Sequence, residues 1–296
     1  MAEPFRGIFP ALQATFDNHG DIDLKSMERQ VAFNITCGCH GLVFPVMGGA
    51  VHFLAEGERR RFVEAVVGTA SGQVPVVVGV SAPATSIAVE YARHAARVGA
   101  DGVIAIPAYP QPGSREYIHM YYRSIAEAAQ LPLFVQHTGG SLNAALIAEL
   151  IHEIDWARYV KEETSPSGHS ISAAIAAVDE HCLGVFGGAS GRWMVPEMRR
   201  GAAGFVPHAH VTEIFVQVWD AFQGGDEASA RTIFECLEPM ESLLGMVGHR
   251  MCKEVLVRRG VIATATMREP GADELDAYDW HEFDIAMQRM EPYFRA

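Results

Sequence analysis

The chain has 296 residues, 49% of them apolar, and a formal net charge of −13 at pH 7. That length and apolar content suit one large barrel or two modest domains and exclude a disordered chain. The acidic balance argues against nucleic acid or an anionic membrane as the main partner, while leaving room for an anionic small molecule held by local backbone amides.

The opening Met1-Ala2-Glu3-Pro4-Phe5-Arg6 lacks the basic-then-apolar pattern of a secretory leader, and no apolar run is long enough to span a bilayer. A cytoplasmic protein is the expectation. Short apolar runs then recur at 8–16, 42–46, 74–80, 103–107, 133–136, 157–161, 184–186 and 203–206. Helix spacing fills the gaps. Leu24, Met27, Val31 and Ile35 share one face behind a capping Asp23, and Ile87, Tyr91, Ala95 and Val98 repeat the pattern. Tyr117, Tyr121, Ile125 and Ala128 do so again. Gly99-Ala100-Asp101-Gly102 and Gly201-Ala202-Ala203-Gly204 read as helix ends turning into strands.

Eight such repeats predict a (β/α)8 TIM barrel, an α/β fold, with a doubly wound sheet as the rival. No Gly-rich phosphate fingerprint follows the first run, which favours the barrel. Residues 225–296 show no strand pattern, so the expected organisation is a catalytic barrel over 1–224 and a C-terminal helical extension over 225–296.

Only three lysines occur, Lys25, Lys161 and Lys253. Arginine never sheds its proton, so these are the only side-chain amines able to attack a carbonyl. Lys161 ends an apolar run in Tyr159-Val160-Lys161-Glu162-Glu163-Thr164, where alternation puts Tyr159, Lys161 and Glu163 on one face. The alternative is a surface lysine paired with Glu162 or Glu163. Other strand ends offer Tyr109 in a Pro-stiffened loop, Gln136 and His137 after the fifth run, and Gly48 and Gly49 as an amide nest or an ordinary turn. His208 and His210, with His137, raise a metal-dependent aldolase, but no further ligand stands at a helical ligand spacing. No metal or cofactor is expected. Cys37, Cys39, Cys182, Cys236 and Cys252 show no framework spacing and read as reduced thiols.

The Gly7-Ile8-Phe9-Pro10 opening, Thr15-Phe16, Gly20-Asp21-Ile22-Asp23, Gly99-Ala100-Asp101-Gly102, Pro107-Ala108-Tyr109, Leu131-Pro132 and Lys161-Glu162-Glu163-Thr164 carry a resemblance. Over nearly its whole length the chain resembles the dihydrodipicolinate synthase / N-acetylneuraminate lyase family of Schiff-base barrels. The resemblance implies that Lys161 forms an imine with a 2-oxo acid. It implies catalytic duties for Tyr109, Gln136, Glu163 and His137, and substrate contacts at Met47, Gly48, Gly49, Thr164 and Gly188.

Departures are equally informative. Val46-Met47-Gly48-Gly49-Ala50 replaces the family's Gly-Thr-Thr-Gly-Glu, and Gln136 replaces its strand-five tyrosine. The arginine that follows in dihydrodipicolinate synthases is missing. Arg6-Gly7-Ile8-Phe9-Pro10, Val135-Gln136, Glu163-Thr164 and Lys253 to Ala263 look most like 2-keto-3-deoxy-L-arabonate dehydratases. The resemblance therefore implies dehydration of a 2-keto-3-deoxy sugar acid. The alternatives are retro-aldol release of pyruvate, or a non-catalytic 2-oxo acid binding paralogue. It also implies a homo-oligomer, dimer or tetramer.

Overall fold

Each apolar run becomes a strand, and the helices between them carry the signals read from the sequence. The computed structural model describes residues 3–270 and 274–296; Met1, Ala2 and residues 271–273 of the expected extension lie outside the described residues. The strands are β1 (Gly7–Ile8), β2 (Leu42–Phe44), β3 (Val76–Gly79), β4 (Gly102–Ala105), β5 (Leu133–His137), β6 (Ala157–Glu162), β7 (Gly184–Gly187) and β8 (Gly204–Phe205). Their order is β1-β8-β7-β6-β5-β4-β3-β2. Ala11 bridges both Val43 and His208 in the parallel sense, so the continuation of β1 stands between the second and eighth strand lines. A sheet closed in this way is the predicted (β/α)8 barrel; a doubly wound sheet keeps two open edges.

The first run is the most reduced. Only Gly7 and Ile8 form regular strand, because Pro10 has no N–H to give the ladder and only the bridges at Ala11 continue it. The chain divides into two compact units, Met1–Phe9 with Pro75–Val206, and Pro10–Val74 with Pro207–Ala296.

In the first unit lie β3 to β8 with α3 (Thr85–Val98), α4 (Arg115–Ala129), α5 (Ala144–Glu153), α6 (Ser167–Ala177) and α7 (Met194–Met198). Helix α3 turns Ala88, Ala92 and Ala95 inward, and Ile87 is exposed. The buried stripe is thus rotated from the predicted one, toward the small side chains that allow close approach. Gly99 caps this helix at φ 87°, donating its N–H to Ala95 and Ala96 carbonyls, which is the turn expected there. In α4, Tyr121 and Ile125 are buried as predicted, joined by Ile118 and Tyr122.

An aromatic layer fills this unit's interior. Phe134 and Tyr159 are register partners whose rings stack at 4.5 Å, and Phe5 stacks on Tyr159 at 5.2 Å. Phe186 closes edge-on against Phe134 at 5.3 Å and against Phe9 at 5.5 Å. The Tyr159 hydroxyl, out of reach of water, accepts the Phe5 N–H at 2.9 Å. Glycines make the space: a Cβ at Gly184 would stand 2.8 Å from that of Ala203, and one at Gly204 would collide with the Gly7 carbonyl and the Phe186 ring.

The second unit holds β2, α1 (Leu24–Thr36), α2 (Glu56–Ala70) and α8 (Thr212–Gln223). It also holds α9 (Glu227–Glu235), α10 (Glu238–Val247), α11 (Arg250–Arg258) and α12 (Ala277–Met290). Asp23 caps α1 as predicted, accepting from the Ser26 N–H at 3.0 Å. That helix buries Met27 and Val31, but beside them Gln30 and Asn34 instead of Leu24 and Ile35. Both amides are paired: Gln30 makes two bonds to the Gln13 backbone, at 2.7 and 2.9 Å, and Asn34 accepts from Thr212 at 2.5 Å. No helix among the described residues is long and apolar enough to cross a membrane.

The aromatic layer generates a test. Gly204→Ala forces a methyl into the Gly7 carbonyl and the Phe186 ring and is expected to destabilise by about 1–3 kcal/mol. Urea unfolding measures it, and an unchanged midpoint would show that the layer yields more freely than its packing implies.

Candidate active site

Strand β6 ends in Lys161 and Glu162, with Glu163 just beyond, and the pleat sorts the three. Gln136 and Lys161 are register partners, as are His137 and Glu162. Side chains alternate, so Phe134, Gln136, Tyr159, Lys161 and Glu163 face the aromatic layer, while His137 and Glu162 face the opposite side. Lys161 is buried, at 5% exposure, near the C-terminal end of its strand, where barrels collect their reactive groups.

Its amine lies 3.0 Å from Glu163 Oε1. The same oxygen accepts the Ala189 N–H at 2.9 Å, and Oε2 accepts the Gln136 amide at 2.6 Å. Burial, the strongest influence on Glu163, pushes its carboxyl upward. The Lys161 charge and these hydrogen bonds outweigh it, and the net direction is below the ordinary carboxylate value. Glu163 is therefore ionised near neutral pH and is the counter-ion of Lys161. The sequence alternatives for Lys161 converge: it is paired with Glu163, and it is buried.

The loop after β7 is shaped around this carboxylate. A Cβ on Gly188 would overlap Glu163, so this position, expected to touch substrate, packs against the glutamate. Ala189 and Ser190 then adopt left-handed backbone, φ 48° and 64°, before Gly191 at 79°. Two consecutive non-glycine residues in that region are strained, at about 1–2 kcal/mol each, and the first presents its N–H to Glu163. Sequence reasoning missed Ala189; the small-residue run Gly187-Gly188-Ala189-Ser190-Gly191 at a strand end was the available signal.

On the opposite face a second polar group forms. His137 Nδ1 lies 2.7 Å from Glu162 Oε2, and Glu162 Oε1 accepts from the Thr164 N–H at 2.8 Å and from its hydroxyl at 2.5 Å. His137 and Thr164 are thus brought together with Glu162 and apart from the amine. Glu197, on α7, stands close to this group. It is 2% exposed, its Oε2 has no hydrogen-bond partner, and a side chain at Gly187 would collide with that oxygen. Burial first, then the charges of Glu162 and Glu163, push its carboxyl up to about 8. Nothing in the sequence spacing pointed to Glu197. Tyr109 lies half-buried on the loop after β4.

In the second unit, Met47–Gly49 forms a 3-10 turn in which the Gly49 N–H donates to the Val46 carbonyl at 2.8 Å. The turn thus uses one of the two amides expected to cradle an anion. A Cβ at Gly48 would meet His208 Cε1 at 2.7 Å, and one at Gly49 the Leu12 carbonyl at 2.6 Å. The His208 ring packs on His249 at 5.0 Å, with Gln13 3.5 Å from its Nδ1. His210 is buried with Nδ1 unpaired, and burial with the nearby Arg259 charge lowers it to about 3, so it stays neutral.

Comparison with known proteins agrees with this architecture. The model of the Dihydrodipicolinate synthetase family matches residues 4–280. The chain is 29% identical to a probable 2-dehydro-3-deoxy-D-pentonate aldolase of Escherichia coli, over 77% of this chain and 78% of that protein. It is 25% identical to the L-2-keto-3-deoxyarabonate dehydratase of Azospirillum brasilense, over 90% of this chain and 88% of that protein. A prophage protein of the dihydrodipicolinic acid synthase family from Escherichia coli K12, solved in complex with pyruvate, superposes with a TM-score of 0.90. It is 22% identical and covers 97% of this chain and 99% of its own.

Glu197 supplies the test of the site's second face. Its folded value of about 8 lies above the ordinary 4.5, so the fold favours the protonated form. The stability this gives is complete below pH 4.5 and is lost as pH rises through 8. Glu197→Gln carries a neutral amide at every pH. Its stability relative to the natural chain is expected to climb by about 1.4 kcal/mol per pH unit across that window. Urea unfolding at pH 5.5 and 8.5 reads the difference, and a gap that does not change with pH would mean that Glu197 ionises normally.

Proposed function

The chain belongs to the dihydrodipicolinate synthetase family, whose members are lyases and aldolases, and from that premise we propose a Schiff-base lyase of 2-oxo acids that dehydrates a 2-keto-3-deoxy sugar acid. The observation that carries this reading is the buried Lys161 amine facing an ionised carboxylate at 3.0 Å, at the C-terminal end of a barrel strand. An amine must be neutral to attack a ketone, and Glu163 is placed to take its proton.

The reaction then follows from these groups. Lys161 adds to C2 of the 2-oxo acid, and the carbinolamine loses water to give a protonated imine. Glu163 removes a proton from C3, and the imine accepts the electron pair as an enamine. The enamine pushes out the C4 hydroxyl, which leaves as water with the proton that Glu163 returns. Hydrolysis of the conjugated imine frees the unsaturated 2-oxo acid and restores Lys161.

The electrostatics change in the helpful direction. While Lys161 is cationic, its charge opposes the upward influence of burial on Glu163. When the nitrogen is a neutral carbinolamine or enamine, burial acts less opposed and the carboxylate becomes a stronger base. Gln136 cannot relay a proton as a phenol does; its amide fixes the orientation of Glu163. In this reading His137 steadies Glu162 and the strand end, and Tyr109 remains the candidate for protons farther along the substrate. The backbone of Gly188, beside Glu163, is proposed to border the substrate.

The 29% identity to a pentonate aldolase favours a second reading. The same imine supports retro-aldol cleavage if a base takes the C4 hydroxyl proton, breaking C3–C4 and releasing pyruvate. We also propose a cytoplasmic homo-oligomer, dimer or tetramer, whose mass light scattering would give.

Incubation with pyruvate and borohydride is expected to leave a reduced adduct that peptide mapping places on Lys161, and Lys161→Ala is expected to abolish both adduct and turnover. An adduct on Lys253, or none, would overturn the reading. Glu163→Gln is expected to lower kcat by about 10²–10⁴-fold. Product analysis on a 2-keto-3-deoxypentonate separates dehydration, which retains all five carbons, from cleavage, which yields pyruvate.

A further inference from the structure

We propose that His152, Asp179 and His181 form a binding site for a divalent transition cation, with zinc the best match, at the N-terminal end of β6 and β7. His152 lies in the last turn of α5, and Asp179 and His181 lie in the connection from α6 to β7. Both histidines turn Nδ1 toward the one carboxylate: His152 to Oδ2 at 2.7 Å and His181 to Oδ1 at 3.0 Å. Their rings stand 5.4 Å apart at 81°. One ligand atom from each residue lies within 4.8 Å of the others, a spread that small rotations of three solvent-reachable side chains contract around an ion.

The site is partly built. The His181 backbone N–H also donates to Asp179 Oδ1, at 3.0 Å, holding the carboxylate in a turn that points it at His152. Side-chain exposures of 66%, 34% and 43% for His152, Asp179 and His181 leave an open approach and room for a water as fourth ligand. Two imidazole nitrogens and one carboxylate oxygen suit zinc and its neighbours; calcium and magnesium ask for oxygen throughout.

A bound ion would replace two imidazole–carboxylate hydrogen bonds by three coordinate bonds and tie the end of α5 to the segment entering β7. The cluster shares no residue with the Lys161 assembly and lies at the other end of the same strands. At the N-terminal face of a barrel such a clamp acts on stability and not on turnover.

The test uses untagged, chelator-treated full-length protein, so that catalysis plays no part in the readout. Calorimetric titration with zinc chloride is expected to show one saturable equivalent of micromolar affinity, and cobalt to give the absorption of a low-coordinate nitrogen–oxygen site. His152→Gln and His181→Gln are each expected to weaken zinc by about tenfold or more. His169→Gln, an exposed histidine outside the cluster, is expected to leave it unchanged. Zinc should raise the unfolding temperature of the natural chain and not of the first two variants. No saturable zinc binding, or binding retained in the His152→Gln, His181→Gln double variant, would overturn the proposal, the first leaving a hydrogen-bonded His-Asp-His triad and the second placing the ion elsewhere.

Discussion

The arrangement of the first unit depends on keeping a carboxylate charged beside an amine out of water. Two charges brought into an interior lose several kcal/mol of solvation each, and their mutual attraction alone often fails to offset the loss. Here Glu163 receives three donors: the Lys161 amine, the Ala189 N–H and the Gln136 amide. Each depends on something else in the fold. Gln136 is aimed by its register with Lys161, Ala189 by a left-handed backbone, and Gly188 is bare because any side chain would displace the carboxylate. Two residues back on β5 and β6, Phe134 and Tyr159 stack on one another and on Phe5, giving the pair an apolar floor.

The same alternation that gathers this pair isolates a second acidic group behind it. Glu162 is buried on the outer face, yet its two oxygens meet His137, the Thr164 amide and the Thr164 hydroxyl, and it is fully provided for. Glu197 has no such provision on Oε2 and lies near two carboxylates already charged. The physical resolution is for Glu197 to hold its proton. One strand thus separates an ionised carboxylate, paired with a cation, from a carboxylic acid kept neutral by its neighbours, a contrast set by partners and not by residue type.

This division explains what could be read from the sequence. The barrel was legible because eight apolar runs alternate with helix spacing, and Lys161 was legible because lysine is scarce and this one ends such a run. Alternation along β6 correctly grouped Tyr159, Lys161 and Glu163. Applied equally to the fifth strand, it would have separated the adjacent Gln136 and His137, since neighbours in a strand cannot share a face. Ala189 was marked only by its run of small residues, and Glu197 was beyond reach, for a different reason. A backbone N–H has no residue-type signature, and the environment of Glu197 exists only once α7 is packed against β7. The rotated face of α3 and the buried amides of α1 are the same lesson at smaller scale: hydropathy marks that a helix has an inner face, while partner shape and hydrogen bonding choose which face it is.

The second unit shows why a perturbed amine is not by itself a reactive one. Lys253 is 1% exposed, and burial, with the nearby Arg268 charge, lowers it to about 7, so much of it is neutral at physiological pH. By basicity alone it would serve as a nucleophile. Its surroundings leave it no opening. The amine donates to the Thr266 carbonyl at 2.7 Å and lies 4.6 Å from the centre of the Phe16 ring, whose other cationic neighbour is Arg268 at 4.3 Å. It also sits within α11, and among the described residues it forms no ion pair with a carboxylate. Lys161 has the reverse combination: a strand end and a carboxylate fixed at 3.0 Å from its amine. What distinguishes the two lysines is the partner that can receive the proton: Lys161 faces a carboxylate, and Lys253 faces a backbone carbonyl.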